Sequence, residues 1–195
     1  MILMPMFPIT TERFALSPLA QQDRDAFVDY RRVPDVARWQ SWTPTYSTDD
    51  ADELLASQPD AIVPQSGLWL QVAVRDRSTG ALVGDVAVHA LPDQPDSYEL
   101  GVTIAPAMQG TGAAAEALRG LIAALFGALG AHRVCATTDA RNTAAARLFT
   151  RLGFRHEGRA VEADWFKDEW TSVDRWALLR AECDRQARGA GTPAA

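Results

Sequence analysis

The sequence has no long apolar segment. None of its 195 residues falls in an apolar run of about 18, the length that spans a bilayer, and the most apolar stretch, residues 118–129, is too short. The amino terminus is apolar, but it has no basic region before it and no small-residue cleavage pattern. We therefore expect a soluble, cytoplasmic protein with no membrane partner.

Residues that bind metals are also scarce. The chain has two cysteines, Cys135 and Cys183, whose spacing is not that of a zinc site, and its three histidines are scattered singly. Free cysteine usually behaves as a small buried apolar residue, and we expect this of Cys135 in a strand. The sequence predicts no metal site.

Positive charge is in deficit. The formal net charge of -6 disfavours a surface whose main task is to neutralise phosphate backbones, so we expect no nucleic acid partner. With 47% hydrophobic residues the chain can bury one sizeable core. We predict one domain over residues 10–182, with flexible termini at 1–9 and 183–195.

The pattern of apolar residues and turn formers predicts an α/β domain of the α+β kind. Three strands in a row, separated by turns, indicate an antiparallel unit in the middle of the chain. The predicted strands cover residues 10–19, 68–74, 82–90, 97–105, 133–138, 154–163 and 171–179. The predicted helices cover residues 23–33, 35–39, a segment capped at 47–50, 113–129 and 142–152.

A glycine-rich turn joins the 97–105 strand to the longest predicted helix. Small residues at Gly110 and Gly112 let the backbone approach an anion, and the first turn of a helix offers unpaired N–H groups to a phosphate. The turn has neither the Lys-Ser/Thr of a P-loop nor the spacing of a dinucleotide fingerprint, so ATP and NAD are disfavoured. A purely structural turn is the alternative.

The segment Gln-Gly-Thr-Gly-Ala-Ala at 109–114 resembles the Q/R-x-x-G-x-G/A acetyl-CoA pyrophosphate loop of the GNAT superfamily. Residues 98–104 look like the fourth strand of that family, and Asn142, Ala145 and the Leu-Gly-Phe at 152–154 look like its next motif. With Thr-Glu-Arg-Phe-Ala-Leu at 11–16, the spacings are similar to the Rim-type branch, the ribosomal-protein N-terminal acetyltransferases, over most of the chain.

This resemblance implies a fold and an activity. The fold is a single domain with a mixed, mostly antiparallel sheet of about seven strands flanked by helices on both faces. The activity is transfer of an acetyl group from acetyl-CoA to a primary amine by direct attack in a ternary complex. Family members often pair, so a homodimer is possible, although no residue pattern indicates it.

The resemblance also implies the cofactor-binding residues. Backbone N–H groups of the loop hold the pyrophosphate, the strand backbone pairs with the pantetheine arm, and Asn142 bonds pantetheine through its amide, a role compatible with capping the following helix. The expected set is Val102, Thr103, Ile104, Gln109, Gly110, Thr111, Gly112, Ala113, Ala114, Asn142 and Phe149.

Catalysis requires a neutral amine, a polarised thioester carbonyl and, often, a proton for the departing thiolate. The resemblance implies that Glu99 acts as general base, directly or through water, and that the backbone N–H near Val102 binds the thioester oxygen. A surface role is the alternative for Glu99. Where relatives often carry Tyr and Ser donors, this chain has Phe149 and Ala145. The thiolate must then be protonated by water, by the acceptor ammonium or by a hydroxyl such as that of Thr143.

Aromatic residues are expected to line the acceptor pocket. They lie in the early helical region and the late strand connection: Trp39, Trp42, Tyr46, Trp165, Phe166 and Trp170. Asp164, Asp168 and Glu169 can attract a cationic amine. The alternatives are that these aromatics cover a core edge and that the acids are a solvated cluster.

The acceptor itself stays open at this point. Protein or peptide N-termini and small amines, such as those of antibiotics, all present a primary amine. A non-catalytic acyl-CoA-binding sensor is the alternative function, because the usual Tyr and Ser donors are missing. The two functions separate on turnover, since only an enzyme releases free thiol when an acceptor is present.

Overall fold

An eight-stranded sheet runs through residues 6–189, the part of the chain that this computed structural model describes. The strand order is β1-β2-β3-β4-β5-β6-β8-β7, and every neighbouring pair is antiparallel except β5 and β6. The strands are β1 (Ile9–Thr10), β2 (Phe14–Pro18), β3 (Trp69–Asp76), β4 (Leu82–Ala90), β5 (Ser97–Ile104), β6 (Arg133–Asp139), β7 (Arg155–Phe166) and β8 (Glu169–Leu179). The predicted architecture is confirmed, with one strand more than expected.

Helices cover both faces of the sheet. They are α1 (Arg24–Arg31), α2 (Pro34–Ala37), α3 (Thr48–Ser57), α4 (Ala113–Ala128), α5 (Thr143–Arg151) and α6 (Arg180–Gly189), with single 3-10 turns at Gln21–Asp23 and Pro106–Met108. Alternate residues of β3 face opposite layers. Val72 and Val74 join the core under α4 and α5, whereas Ala73 joins the core under α1 to α3. None of the helices in the described residues is both long and apolar enough to cross a membrane.

The first predicted strand is split in two. Ile9 pairs with Leu16, but the chain leaves the sheet between these residues. There the Thr11 hydroxyl and the Arg13 backbone N–H both donate to Glu116 in the first turn of α4, each at 2.7 Å. The Thr11 N–H also donates to the Phe14 carbonyl at 2.8 Å, so the chain makes a hairpin turn between β1 and β2, and Glu116 binds this turn from a distant part of the sequence.

Both ends carry more regular structure than the sequence predicts. Ile9 belongs to β1, and the apolar side chain of Phe7 packs against the main core. At the other end, α6 continues past Cys183, whose side chain also packs against that core. Residues 1–5 and 190–195 lie outside the described residues.

A buried ion pair joins the helical layer of α1 to the sheet. Arg31 lies 3.4 Å from the Asp85 carboxylate of β4, and each side chain is 3% exposed. The Tyr30 hydroxyl donates to the same carboxylate at 2.5 Å, and the ring faces of Phe27 and Trp42 lie 3.8 Å and 3.6 Å from the Arg31 guanidinium. Burial raises the pKa of Tyr30 well above its usual value, so the phenol stays a donor.

We predict that Asp85→Ala destabilises the protein by about 3–5 kcal/mol, because it leaves the Arg31 charge buried without its partner. Urea unfolding followed by circular dichroism measures this free energy. The control is Asp25→Ala. The Asp25 side chain is 80% exposed and pairs with Arg24, so its removal should leave the unfolding midpoint nearly unchanged. Equal effects of the two substitutions would contradict a buried charge network.

Candidate active site

The site begins where β5 and β6 separate. Their parallel pairing covers only Ser97 to Glu99 on β5 and Arg133 to Cys135 on β6, although both strands continue beyond it. A cavity of about 210 Å³ occupies the gap. Its walls come from both strands, α5, the segment after α2 and the β7–β8 hairpin: Trp39, Gln40, Leu100, Gly101, Val102, Thr137, Thr138, Asp139, Asn142, Ala145, Phe149, Asp164, Phe166, Thr171 and Val173.

A groove of about 450 Å³ adjoins this cavity on the side of α4 and α5. The end of β5, the glycine-rich loop, the start of α4 and one side of α5 form its walls. Five residues line both spaces: Trp39, Gln40, Val102, Asn142 and Ala145. The two spaces therefore meet at the open edge of β5.

The loop before α4 has the backbone conformation that its glycines permit. Gly110 has φ 75° and Gly112 has φ 85°, and Gly112 is the N-cap of α4. A Cβ built on Gly110 would meet no atom within 4 Å, so that side of the loop is open. The N–H groups from Gly110 onward stand at the positive end of a 16-residue helix, which favours an anion there.

Two side chains of the loop stabilise the loop itself. The Gln109 amide donates to the Ile104 carbonyl at 3.0 Å, and the Thr111 hydroxyl donates to the Met108 carbonyl at 2.8 Å. Both residues were expected in the cofactor set. Their side chains brace the loop; Gln109 lines the groove, whereas Thr111 is not among the residues of its wall.

The free edge of β5 directs backbone groups into the gap. The Gln40 amide donates to the Val102 carbonyl at 3.5 Å, and Gln109 reaches the Ile104 carbonyl, so both carbonyls point away from β4. A strand residue directs its N–H and its C=O to the same neighbour. The N–H of Val102 therefore also faces the gap, whereas Thr103, between the two, is turned toward β4.

Asn142 stands at the meeting point of the cavity and the groove. Its Oδ1 accepts from the Ala145 N–H at 3.0 Å, which caps α5. The cap uses only the oxygen, so the side-chain NH₂ remains a donor. The structural role expected of Asn142 is present, and it leaves the amide available to a ligand.

Glu99 is not among the residues that line the cavity. It is half-buried on β5, with its Oε2 3.6 Å from Nδ1 of His89. Alternation places its side chain on the same strand face as Gly101, which does line the cavity. Burial raises the pKa of the neighbouring Cys135 thiol to about 11, and the charge of Glu99 adds to the effect.

The predicted aromatic wall divides into three groups. Trp39 and Phe166 line the cavity. Trp42 and Tyr46 pack around Arg31 instead, with the Arg31 guanidinium 3.6 Å and 5.1 Å from their rings. Trp165 and Trp170 pack edge-to-face on the β7–β8 hairpin, at 59% and 61% exposure.

The acidic residues near the cavity and the β7–β8 hairpin differ in their surroundings. Arg141 donates to Asp139 and to Glu169, and its hydrogen bond holds the pKa of Asp139 below the usual value. Asp164 lines the cavity and has no ion-pair partner among residues 6–185, whose side chains the structure describes. The turn at Asp168 joins β7 to β8 and does not reach the cavity wall.

Lys167, the only lysine of the sequence, attaches this hairpin to the helical layer. Its Nζ donates to the Ala37 carbonyl at the end of α2, at 2.6 Å, and burial lowers its pKa. The β7–β8 turn is thereby held beside Trp39. The described residues contain no group of three or more His, Cys, Asp or Glu that could hold a metal ion.

Comparison with known proteins identifies the family. The family model of the acetyltransferase (GNAT) domain matches residues 13–155. This chain is a GNAT acetyltransferase. The prediction from the loop and strand motifs is therefore confirmed, and the chain belongs to the N-acetyltransferase class of enzymes.

One curated relative and two solved structures illustrate how far the similarity extends along the chain. An uncharacterized N-acetyltransferase of Bacillus subtilis, YoaA, is 29% identical over 78% of this chain and 86% of its own length. The spermidine N-acetyltransferase of Vibrio cholerae, solved with CoA and spermine, has a TM-score of 0.74 at 22% identity and covers 87% of this chain and 97% of its own. RimJ of Mycobacterium smegmatis, solved with CoA-disulfide, has a TM-score of 0.78 at 19% identity, covering 95% and 97%.

The GNAT motifs did not reveal several residues of the site. Gln40 contacts Val102 from outside any motif, and no sequence signal singles it out. Arg147 and Arg151 line the groove from α5. Their spacing of four residues indicates that both project from one face of a helix, so the sequence could have identified them as a pair. Thr138 lines the cavity from β6.

We predict that Asn142→Asp and Asn142→Ala separate capping from ligand binding. Aspartate caps a helix as well as asparagine does, so Asn142→Asp should retain stability while it weakens acetyl-CoA binding through the lost donor and the added charge. Asn142→Ala should cost about 1 kcal/mol of stability as well. Calorimetric titration with acetyl-CoA and thermal unfolding measure the two effects, and unchanged affinity in both variants would exclude Asn142 from the cofactor site.

Proposed function

We propose that this chain transfers the acetyl group of acetyl-CoA to a primary amine by direct attack within a ternary complex. The observation that carries this proposal is the meeting of a groove and a cavity at the open edge of β5. The donor enters along α4 and α5, and the amine enters from the side of Trp39 and the β7–β8 hairpin. Both reach Val102, so neither has to leave before the other reacts.

The donor is held mainly by backbone groups. The N–H groups from Gly110 to Ala114 bind the pyrophosphate at the start of α4. The pantetheine arm adds to the free edge of β5 as an extra strand would, at the backbone of Val102 and Ile104. Asn142 supplies an amide N–H from the other wall of the groove.

Val102 and Glu99 take the two catalytic roles. The Val102 N–H donates to the thioester oxygen, where negative charge develops as the amine attacks. Glu99 lies two residues from Gly101 on the same strand face, roughly 7 Å at strand spacing. It therefore receives the amine proton through a water molecule beside Gly101.

The acceptor side fits an amine with apolar and cationic character. Trp39 and Phe166 form apolar walls, and the carboxylate of Asp164 attracts an ammonium group. The relative solved with spermine binds a small cationic amine. We assign this chain to primary amines, with peptide N-termini and small-molecule amines as the classes to compare.

We predict that purified protein releases free thiol from acetyl-CoA when a suitable amine is present. The panel contains peptides of varied N-terminal residue, polyamines and aminoglycosides. Glu99→Gln should lower kcat by about 100-fold or more, the contribution of a general base, while acetyl-CoA binding is retained. The matched control is Glu53→Gln on the exposed side of α3.

Each outcome of that assay is informative. Binding of acetyl-CoA without thiol release for any amine would favour a non-catalytic acyl-CoA-binding module. Turnover that survives Glu99→Gln would retain the enzyme and remove Glu99 from the base role. Failure to bind acetyl-CoA at all would refute the proposed function.

We also propose that Arg147 and Arg151 bind the 3′-phosphate of CoA. Neither has an ion pair or a side-chain hydrogen bond within residues 6–185, and both line the groove. Arg151 lies about 14 Å along α5 from Asn142 at 1.5 Å per residue. That distance places it at the nucleotide end of the groove, away from the reacting carbon.

We predict that Arg147→Gln with Arg151→Gln weakens CoA binding about tenfold, as expected for charged hydrogen bonds to a phosphate. Binding of 3′-dephospho-CoA should be nearly unaffected by the same change. Arg119→Gln, which changes an exposed arginine of α4 outside the groove, is the control. An equal loss of affinity for CoA and for 3′-dephospho-CoA would show that the two arginines do not bind the 3′-phosphate.

A further inference from the structure

The register of β5 and β6 places Thr138 opposite Val102. The last parallel pair is Glu99 with Cys135. Three residues further along each strand, the chain reaches Val102 on one side of the gap and Thr138 on the other. Both residues line the cavity in that gap, and both carry their side chains on the strand face that α4 and α5 cover, as Tyr98 and Val134 do before the strands part.

The Thr138 hydroxyl is oriented by an indole. Trp176 Nε1 donates to Thr138 Oγ1 at 3.0 Å. An indole N–H is only a donor, so the threonine oxygen is the acceptor and its own proton is directed elsewhere. Trp176 is 6% exposed and stacks on Phe149, with ring centroids 6.2 Å apart, so its N–H is fixed in place.

The other hydroxyls of the cavity wall do not meet the same conditions. Thr137 lies next to Thr138 on β6, so its side chain is on the opposite face of the strand. Thr171 also lines the cavity, but its Oγ1 donates to the Asp164 carbonyl at 3.4 Å. Thr143, the hydroxyl that the sequence suggested, is exposed at the start of α5 and is not part of the cavity wall. Ala145 and Phe149 have no proton to donate.

We propose that the Thr138 hydroxyl donates a hydrogen bond to the sulfur of the departing CoA. The inference rests on the proposed acetyl transfer. The new C–N bond forms, the C–S bond breaks, and the electron pair stays on sulfur, where Thr138 stabilises it. The nitrogen gives its proton to Glu99 through water, Thr138 keeps its own proton, and solvent protonates the thiolate after release.

The first test needs no acceptor. CoA is bound to the full chain, and its thiol is titrated by following the thiolate absorbance. The same titration with desulfo-CoA, which has no thiol, gives the signal of the two cysteines to be subtracted. A hydrogen bond from Thr138 favours the thiolate, so the pKa of the bound thiol should rise by about one unit in Thr138→Val. Thr138→Ser, which retains the hydroxyl, should return it toward the unsubstituted value.

Kinetics provide the second test. With the best amine of the panel, Thr138→Val should lower kcat by about 10- to 100-fold, the range for a hydrogen bond to a charged group, at an unchanged KM for acetyl-CoA. Thr138→Ser should recover most of this loss. The matched control is Thr150→Val, an exposed threonine of α5 whose hydroxyl bonds only the Ala146 carbonyl.

The outcomes distinguish this inference from the function on which it rests. If CoA binds and Thr138→Val changes neither the thiol titration nor kcat, the inference is overturned and the transferase stands. An effect on kcat in Thr143→Val instead would move the donor to that residue. If CoA does not bind to the unsubstituted protein, the proposed function itself fails. Thermal unfolding of each variant confirms that the comparison is made between folded proteins.

Discussion

The parting of β5 and β6 is the constraint on which the rest of the site depends. Two parallel strands that stay paired would hydrogen-bond the backbone groups that face each other, and the sheet would have no opening. Here the pairing stops after Glu99 and Cys135 while both strands continue. The edge of β5 is left with backbone groups directed into a cavity, and a ligand with amide groups can satisfy them.

The elements around the gap hold it open from both sides. On one side, α4 begins at the glycine-rich loop, and Glu116 in its first turn holds Thr11 and Arg13. On the other, β6 leaves β5 but remains paired with β8 as far as Asp139, which keeps its wall rigid. The gap is therefore a fixed feature of two well-packed halves of the sheet, and local flexibility is not needed to form it.

Polar contacts shape the acceptor side. The pair of Arg31 and Asp85 fixes α1 on β4, and α2 follows directly, so the position of Trp39 and Gln40 depends on a buried charge as well as on apolar packing. Lys167 then brings the β7–β8 turn to the carbonyl of Ala37. The cavity proposed for the acceptor is thus closed by three separate parts of the chain.

This division explains what could be predicted from the sequence. The cofactor side is local: Gly110 and Gly112 precede a long helix, and the strand before them, predicted over residues 97–105, is β5 (Ser97–Ile104) in the structure. The acceptor side is non-local. Trp42 looked like a pocket residue, but its position was decided by Arg31, whose guanidinium lies on its ring. Glu116 likewise binds the turn between β1 and β2 from more than a hundred residues away, and no window of local sequence contains that contact.

The same argument applies to the missing Tyr and Ser donors. Phe149 and Ala145 leave the site without a hydrogen-bond donor to the thiolate only if that donor has to come from α5. In the folded chain Phe149 packs between Phe154 and Trp176, where an apolar ring contributes to the core. The indole of Trp176 is then positioned to orient Thr138 from the neighbouring strand. An apolar substitution on the helix is therefore compatible with a polar role on the strand. Phe149 and Thr138 are connected through Trp176. The sequence therefore shows that the Tyr and Ser donors are missing, and the structure is needed to find Thr138 as the hydroxyl proposed in their place.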